Sequence, residues 1–221
     1  MNKLPYSSII FDCDGVIFDS NELKVQAFRN TLSSYPQNSI DEFISYHKKN
    51  AGISRYVKIR TFLTEFINKP YDSIEYEQLL AIYGKECQSL YKDALLTPGC
   101  RKILKIFSIV APLYVASGSD ELELQAIFKQ RNLLQYFQKI FGSPKTKKEC
   151  VQAALNDLGK DKVAVMVGDA KSDWQAAKEH NIQFIFMSKY SENFETMQDL
   201  ATNTIKTLET LPNYLKLLSK S

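Results

Sequence analysis

The sequence predicts an α/β fold, a doubly wound parallel sheet that carries an all-helical insert. Three observations lead there. Short apolar runs rich in β-branched and aromatic residues, Ile9 to Phe11, Leu113 to Ala116, Val163 to Val167 and Phe184 to Met187, alternate with helical periodicity in the second half of the chain, as parallel strands joined by crossover helices do. Between the first and second runs, roughly seventy residues show helical periodicity alone. Finally, polar residues follow directly on predicted strands: Asp12 and Asp14, Ser117, and Asp169. In open α/β sheets the ligand site lies at the carboxyl ends of the strands.

Taken in order, Ile9 to Phe11 reads as a buried strand. After Ser20, Leu23, Val25, Ala27, Phe28 and Leu32 predict a helix ending near Tyr35-Pro36. A second helix starts around Ser39-Ile40 with Phe43, Ile44 and His47, and Ala51-Gly52 breaks it. Ser54 is placed to cap a third, carrying Val57, Ile59, Phe62, Leu63 and Phe66 up to Asn68-Lys69-Pro70. Ser73 to Tyr91 is a long helix with Leu79, Leu80, Tyr83, Cys87 and Leu90 along one side. Phe62, Phe66 and Tyr83 are expected in the core of this insert.

Pro98-Gly99 marks the return to the main domain. Cys100 to Phe107 is helical, Leu113 to Ala116 is a strand, and Ser117-Gly118-Ser119-Asp120 reads as a strand-to-helix turn before a helix over Leu122 to Lys129. A short strand, Lys139 to Phe141, precedes Gly142-Ser143-Pro144, and Lys147 to Leu158 is the next helix. Val163 to Val167 ends in Gly168-Asp169, a helix covers Trp174 to His180, and Phe184 to Met187 and Thr204-Ile205 are the last strands. The expected units are residues 1–20 and 94–221 for the α/β domain and 21–93 for the insert.

A chain of 221 residues holds one good-sized domain with a smaller insert. A formal charge of +3 is too small to argue for nucleic acid. Cys13, Cys87, Cys100 and Cys150 are far apart with no Cys-x-x-Cys pair, so reduced thiols are expected rather than a disulfide frame or zinc site. Met1 to Ser8 lacks a signal-peptide apolar core, and Ile9 to Phe11 is far too short to span a bilayer. The expectation is a cytoplasmic protein without a membrane partner.

Asp12 and Asp14 are one residue apart, and on an extended chain side chains at i and i+2 point the same way. Two carboxylates facing one pocket need either a proton or a cation between them. Gly15 permits the turn that follows. The order Asp12-Cys13-Asp14-Gly15-Val16, Ser117-Gly118, Lys147 and Gly168-Asp169-Ala170-Lys171-Ser172-Asp173 resembles the four motifs of the haloacid dehalogenase-like hydrolase superfamily. The resemblance covers nearly the whole chain, with the insert in the place of a helical cap.

That resemblance implies a Rossmann-like core and a phosphatase working on a small phosphorylated metabolite, as a monomer or weak homodimer. Asp12 is then the nucleophile and Asp14 the general acid and base. Mg²⁺ is bound by Asp12, by the backbone carbonyl of Asp14 and by Asp169, with Asp173 in the outer sphere, holding a metal-bound water or orienting the lysine. Ser117, the amide of Gly118 at a helix N-terminus, and Lys147 bind the phosphoryl group. Lys147 is preferred for its distance to Ala154-Leu155 and Gly159, and Lys145 is the alternative. A phosphomutase of the β-phosphoglucomutase kind shares these motifs, and a non-catalytic binding module on the same fold is the reading from another class.

The turn at Gly52-Ile53-Ser54-Arg55 is placed to approach the site, where Arg55 either binds a second anionic group of the substrate or is solvated. His47 and His180 are expected to play no chemical part.

Overall fold

The computed structural model describes residues 6–159 and 163–218. Among these, the strands are β1 (Ser8–Phe11), β2 (Phe18–Asp19), β3 (Leu95–Leu96), β4 (Leu113–Asp120), β5 (Lys139–Ser143), β6 (Ala164–Gly168), β7 (Gln183–Met187) and β8 (Thr204–Ile205). The helices of the insert are α1 (Asn21–Thr31), α2 (Gln37–Lys49), α3 (Arg55–Thr61, continuing as a π-helical turn over Phe62–Phe66) and α4 (Ser73–Tyr91). Those of the main domain are α5 (Cys100–Phe107), α6 (Glu121–Gln130), α7 (Lys147–Leu158), α8 (Lys171–Glu179), α9 (Phe194–Leu200) and α10 (Leu211–Leu218).

Six strands pair in the order β5-β4-β1-β6-β7-β8, all parallel. The strands are apolar on both faces because each face carries its own core. Ile9, Phe11, Leu113, Val115, Val165 and Val167 join one cluster, and Ile10, Tyr114, Ala116, Ala164 and Met166 the other, the two-residue alternation of a strand between two helical layers. The first cluster runs without a break into the insert, through Phe28, Phe43, Phe62 and Tyr83.

The insert leaves through β2 and returns through β3, which pair antiparallel as Phe18 opposite Leu96 and Asp19 opposite Leu95. Phe28 is its centre, 4.1 Å from Tyr83 and 5.1 Å from Phe43 between ring centroids. Phe62 and Tyr83 are buried as expected, and Phe66 packs against them partly exposed.

Three local readings are corrected. The first helix stops at Thr31, short of Tyr35. Val57 is 50% exposed, because the inward face of α3 is Arg55, Lys58, Ile59 and Phe62, at helical spacing. The strand beginning at Leu113 does not end at Ala116. It keeps pairing with β5 across a register shift, as far as Asp120 opposite Ser143, and α6 starts only at Glu121. Gly118 therefore lies in a strand extension and not at a helix N-terminus.

Candidate active site

The sheet order puts β1 between β4 and β6, so the segments leaving these three strands meet. Phe11 is in register with both Val115 and Val167, and the Asp12 amide donates to the Val167 carbonyl at 2.9 Å. Asp12 thus starts where the central strand ends, with Ser117 on one side and Asp169 on the other.

Lys147, the first residue of α7, reaches this point from below. The helix is started by a capping box between Thr146 and Glu149. The Lys147 ammonium lies 2.5 Å from Asp12 Oδ1, 2.8 Å from Asp173 Oδ1 and 3.1 Å from the Ala116 carbonyl. Lys145 faces outward and pairs with Glu121 at 2.9 Å. Of the two lysines the sequence left open, the structure brings Lys147 to the carboxylates.

Burial pushes the Asp12 carboxyl up to about 7, with Asp173 adding to the rise and Lys147 opposing it. Asp169 is raised well above the usual carboxylate range by burial, then by Asp12 and Asp173. Burial alone would lower Lys147, but the Asp12 and Asp173 carboxylates outweigh it and hold the ammonium protonated.

Asp14 follows a different course. Beyond Phe11 the chain leaves the strand geometry, and Gly15 turns it at φ +74°, where a Cβ would fall 2.1 Å from Asp169 Oδ2. The Asp14 carboxylate accepts from Ser20 Oγ at 2.7 Å, from Ser119 Oγ at 3.0 Å, and from the Tyr91 hydroxyl and the Lys24 ammonium. Burial would raise its pKa; Lys24 and the hydroxyls reverse this and lower it. The two acids do not share one cation: each has its own lysine.

The magnesium ion that the resemblance implies finds a fitting donor set. One carboxylate oxygen each from Asp12, Asp169 and Asp173 lie within 4.8 Å of one another, all buried. Asp173 Oδ1 is ion-paired with Lys147 but has no aligned hydrogen-bond donor. Hard oxygens, the Asp12 and Asp169 carboxyls raised by burial and then by neighbouring acids, and an oxygen without an aligned donor suit a hard divalent cation. Because its carboxylate is turned to Lys24, Asp14 has only its main chain to offer such an ion. Asp173 is ion-paired with the lysine, and its carboxylate also joins the cluster.

Ser117 is fully buried, and its Oγ accepts the Ser119 amide at 3.1 Å. Gly118 and Ser119 line the cavity. Arg55 also lines it, but its guanidinium makes two bonds, 2.8 and 2.6 Å, to the Glu123 carboxylate on α6 and lies 4.7 Å over the Tyr83 ring. It is 7% exposed. The structure replaces the free or solvated arginine of the sequence reading with a buried ion pair between insert and main domain.

The cavity between insert and sheet is small, about 40 Å³, with Asp12, Asp14 and Asp169 at one end and His47, Arg55 and Lys58 on the insert's wall. Lys24, Asn21, Ser119, His47, Lys58 and Glu192 escaped the sequence reading as lining residues. Asn21 donates to Asp169 Oδ2 at 3.0 Å. A signal for two of them was present: Asn21, Lys24, Phe28 and Thr31 share a helix face, as do Arg55, Lys58, Ile59 and Phe62. A cation sharing a face with Phe28, or with Ile59 and Phe62, is a candidate for an inward position, but its partners are not read from that face. His180 sits at the end of α8, its Nε2 3.0 Å from the Lys148 carbonyl, away from the cavity.

A carboxylate-rich centre at the switch point of a parallel sheet, covered by a helical insert, defines an α/β enzyme of the capped-hydrolase class. The chain belongs to the haloacid dehalogenase-like hydrolases, whose family model matches residues 9–187. Solved structures share the fold. A protein described as a predicted phosphatase from Clostridium acetobutylicum is 22% identical, with 97% of this chain and 99% of that one covered at a TM-score of 0.74. The HAD-hydrolase YfnB from Bacillus subtilis, bound to magnesium, is 16% identical over 96% and 99% of the two chains at 0.71. CbbY from Rhodobacter sphaeroides, in complex with phosphate, is 16% identical over 92% and 95% at 0.69. No curated protein sequence matches the chain. Among the described residues no helix is long and apolar enough to cross a membrane.

Proposed function

We propose that the protein is a Mg²⁺-dependent phosphatase that hydrolyses a small phosphomonoester through an aspartyl-phosphate on Asp12. The observation that carries this is Asp12 itself: a buried carboxylate at the end of the central strand, bonded to Lys147 at 2.5 Å and faced by Asp169 and Asp173. Several solved structures of this fold carry phosphatase or phosphoglycolate phosphatase in their descriptions, which supports the reaction class.

In the first half-reaction an Asp12 oxygen attacks phosphorus and the bond to the leaving oxygen breaks. The leaving alcohol takes its proton from the hydrogen-bonded Asp14–Lys24 pair. In the second half, water attacks the phosphorus of the acyl phosphate, its proton returns to that pair, and Asp12 is released with inorganic phosphate. Lys147 and the Ser119 region neutralise and orient the phosphoryl oxygens. Mg²⁺ held by Asp12, Asp169 and Asp173 or the Asp14 main chain would offset the charge between nucleophile and phosphate. The closed insert excludes water from the first step.

Phosphate release from p-nitrophenyl phosphate with Mg²⁺ tests this. Turnover is expected in the wild type and absent in Asp12→Asn or in EDTA. Activity surviving either change would remove the mechanism. Isomerisation of a sugar phosphate without phosphate release would instead favour the mutase.

A further inference from the structure

We propose that Lys58 and His47 form an anion subsite on the insert's wall of the cavity, and that the enzyme selects phosphomonoesters whose non-reacting end carries a second oxyanion, carboxylate or phosphoryl. The proposal rests on the phosphatase reading above and extends it to the far end of the substrate.

One buried charge at the cavity wall is unmatched. Three cations, Lys24, Arg55 and Lys58, line the cavity, and Lys147 lies beside it at Asp12. Lys24 is paired with Asp14, Arg55 with Glu123, and Lys147 with Asp12 and Asp173. Lys58 is 2% exposed, and among the described residues no carboxylate pairs with it. Its ammonium meets His47 Nδ1 at 2.8 Å and the His47 carbonyl at a long 3.4 Å. An ammonium has three N–H donors, so one remains for the cavity that Lys58 lines.

His47 cannot balance the charge. Burial and the neighbouring Lys58 hold its pKa well below the usual range, so the ring is neutral, accepts from Lys58 at Nδ1 and carries its proton on Nε2. Its ring is braced by Phe28, 4.8 Å away. The other charged groups felt by Lys58 are Lys24, which repels it, and Asp14 and Glu192, which attract it without contact. Burial of this ammonium draws its pKa down to about 7, the sign of a cation short of a partner. A purely structural position would be filled better by an apolar side chain.

The position of this cation gives it a use. Asp12 and Lys58 line the same small space. A ligand with its phosphoryl group at Asp12 therefore presents its other end to Lys58, and an oxyanion there completes the pair.

The test compares three short esters: phosphoglycolate, with a carboxylate end; hydroxyethyl phosphate, with a neutral end; and the bisphosphate of ethylene glycol. Wild type is expected to favour one or both anionic ends over the neutral one by about ten- to a hundredfold in kcat/KM. The preferred one of the two identifies carboxylate or phosphoryl as the natural group. In Lys58→Met this ratio is expected to collapse towards unity, and in Lys58→Gln, which keeps a donor without charge, to fall at least tenfold. A wild type with less than twofold preference, or a ratio unchanged in the variants, overturns the subsite. Should none of the esters turn over, the phosphatase reading is decided separately by p-nitrophenyl phosphate, whose release by the wild type keeps it and whose inertness ends it. Calorimetric binding of phosphonopropionate against propylphosphonate then decides the subsite: tighter binding of the former in wild type, lost in Lys58→Gln, upholds it, and equal binding overturns it.

Discussion

Gly52 of the insert and Gly118 at the end of β4 meet backbone to backbone: a Cβ on Gly118 would lie 2.3 Å from the Gly52 carbonyl oxygen. Gly52 itself stands at φ +81°, where a Cβ would come 2.0 Å from Ser172 Oγ. Insert and sheet are therefore joined at a seam that tolerates no side chain on either strand of backbone. Ser172 Oγ donates to the Ala51 carbonyl beside it at 3.2 Å.

Gly118→Ala should hold this seam open. Overpacking of a tight contact costs about 1–3 kcal/mol, here relieved by the insert lifting rather than by the sheet deforming. Limited proteolysis at the 51–54 turn should accelerate and turnover should fall. An unchanged cleavage rate would show that the seam yields elsewhere.

Arg55 and Glu123 clasp the same two units, and this is where the structure revises the expected substrate contact. Removing one partner of a buried ion pair costs about 3–5 kcal/mol. Glu123 keeps 18% of its side chain exposed, which brings the expected loss for Arg55→Ala to the low end of that range or below. Chemical denaturation of the two single variants and the double variant should show positive coupling. Strict additivity would mean that the pair contributes nothing across the interface.

Asp12 gives the metal-free protein a definite response to pH. Its folded-state value of about 7 lies above the ordinary carboxylate value, so the folded state binds the proton more tightly than the unfolded one. Its contribution to stability is complete below about pH 4 and is lost as pH rises through about 7. In EDTA, Tm should accordingly fall between about pH 5 and about pH 8, and Asp12→Asn should lessen that fall. Mg²⁺, which favours the ionised carboxylate, should do the same. A Tm that rises with pH over this range in EDTA contradicts the assignment.

Lys147 and Lys145 separate cleanly. Lys147→Met removes the only ammonium that touches Asp12 among the described residues, and should lower kcat/KM by two orders of magnitude or more, about 3 kcal/mol. Lys145→Met removes an exposed pair with Glu121, worth about 0–1 kcal/mol, and should leave turnover within about twofold. Steady-state kinetics on any hydrolysed ester decides between them.

The strands, the helical insert and the strand-end acids were legible because each is a local pattern: an apolar run, a helical period, a carboxylate just past a strand. Lys24 was not, because its role depends on Asp14, Ser119 and Ser20, brought together only by the sheet order and the Gly15 turn. Lys58 was read past in favour of Val57, since local hydropathy cannot tell which face of a short helix turns inward. Ser117 to Asp120 looked like a turn because small residues end the apolar run at Ala116. The pairing of Asp120 with Ser143 that keeps the strand going is formed with a distant segment.

The ribbon of Phe18–Asp19 beside Leu95–Leu96 has a consequence for descent as well as for motion. The two points where the insert departs and returns are hydrogen-bonded neighbours, so whatever lies between them can lengthen, shrink or be exchanged without rethreading a single strand of the sheet. Asp12, Lys147, Asp169 and Asp173 all lie outside that interval. Lineages can thus inherit Asp12 and the carboxylates around it while trying new inserts against new molecules, with Lys24, the insert's own share of the proton-transfer pair, exchanged along with selectivity.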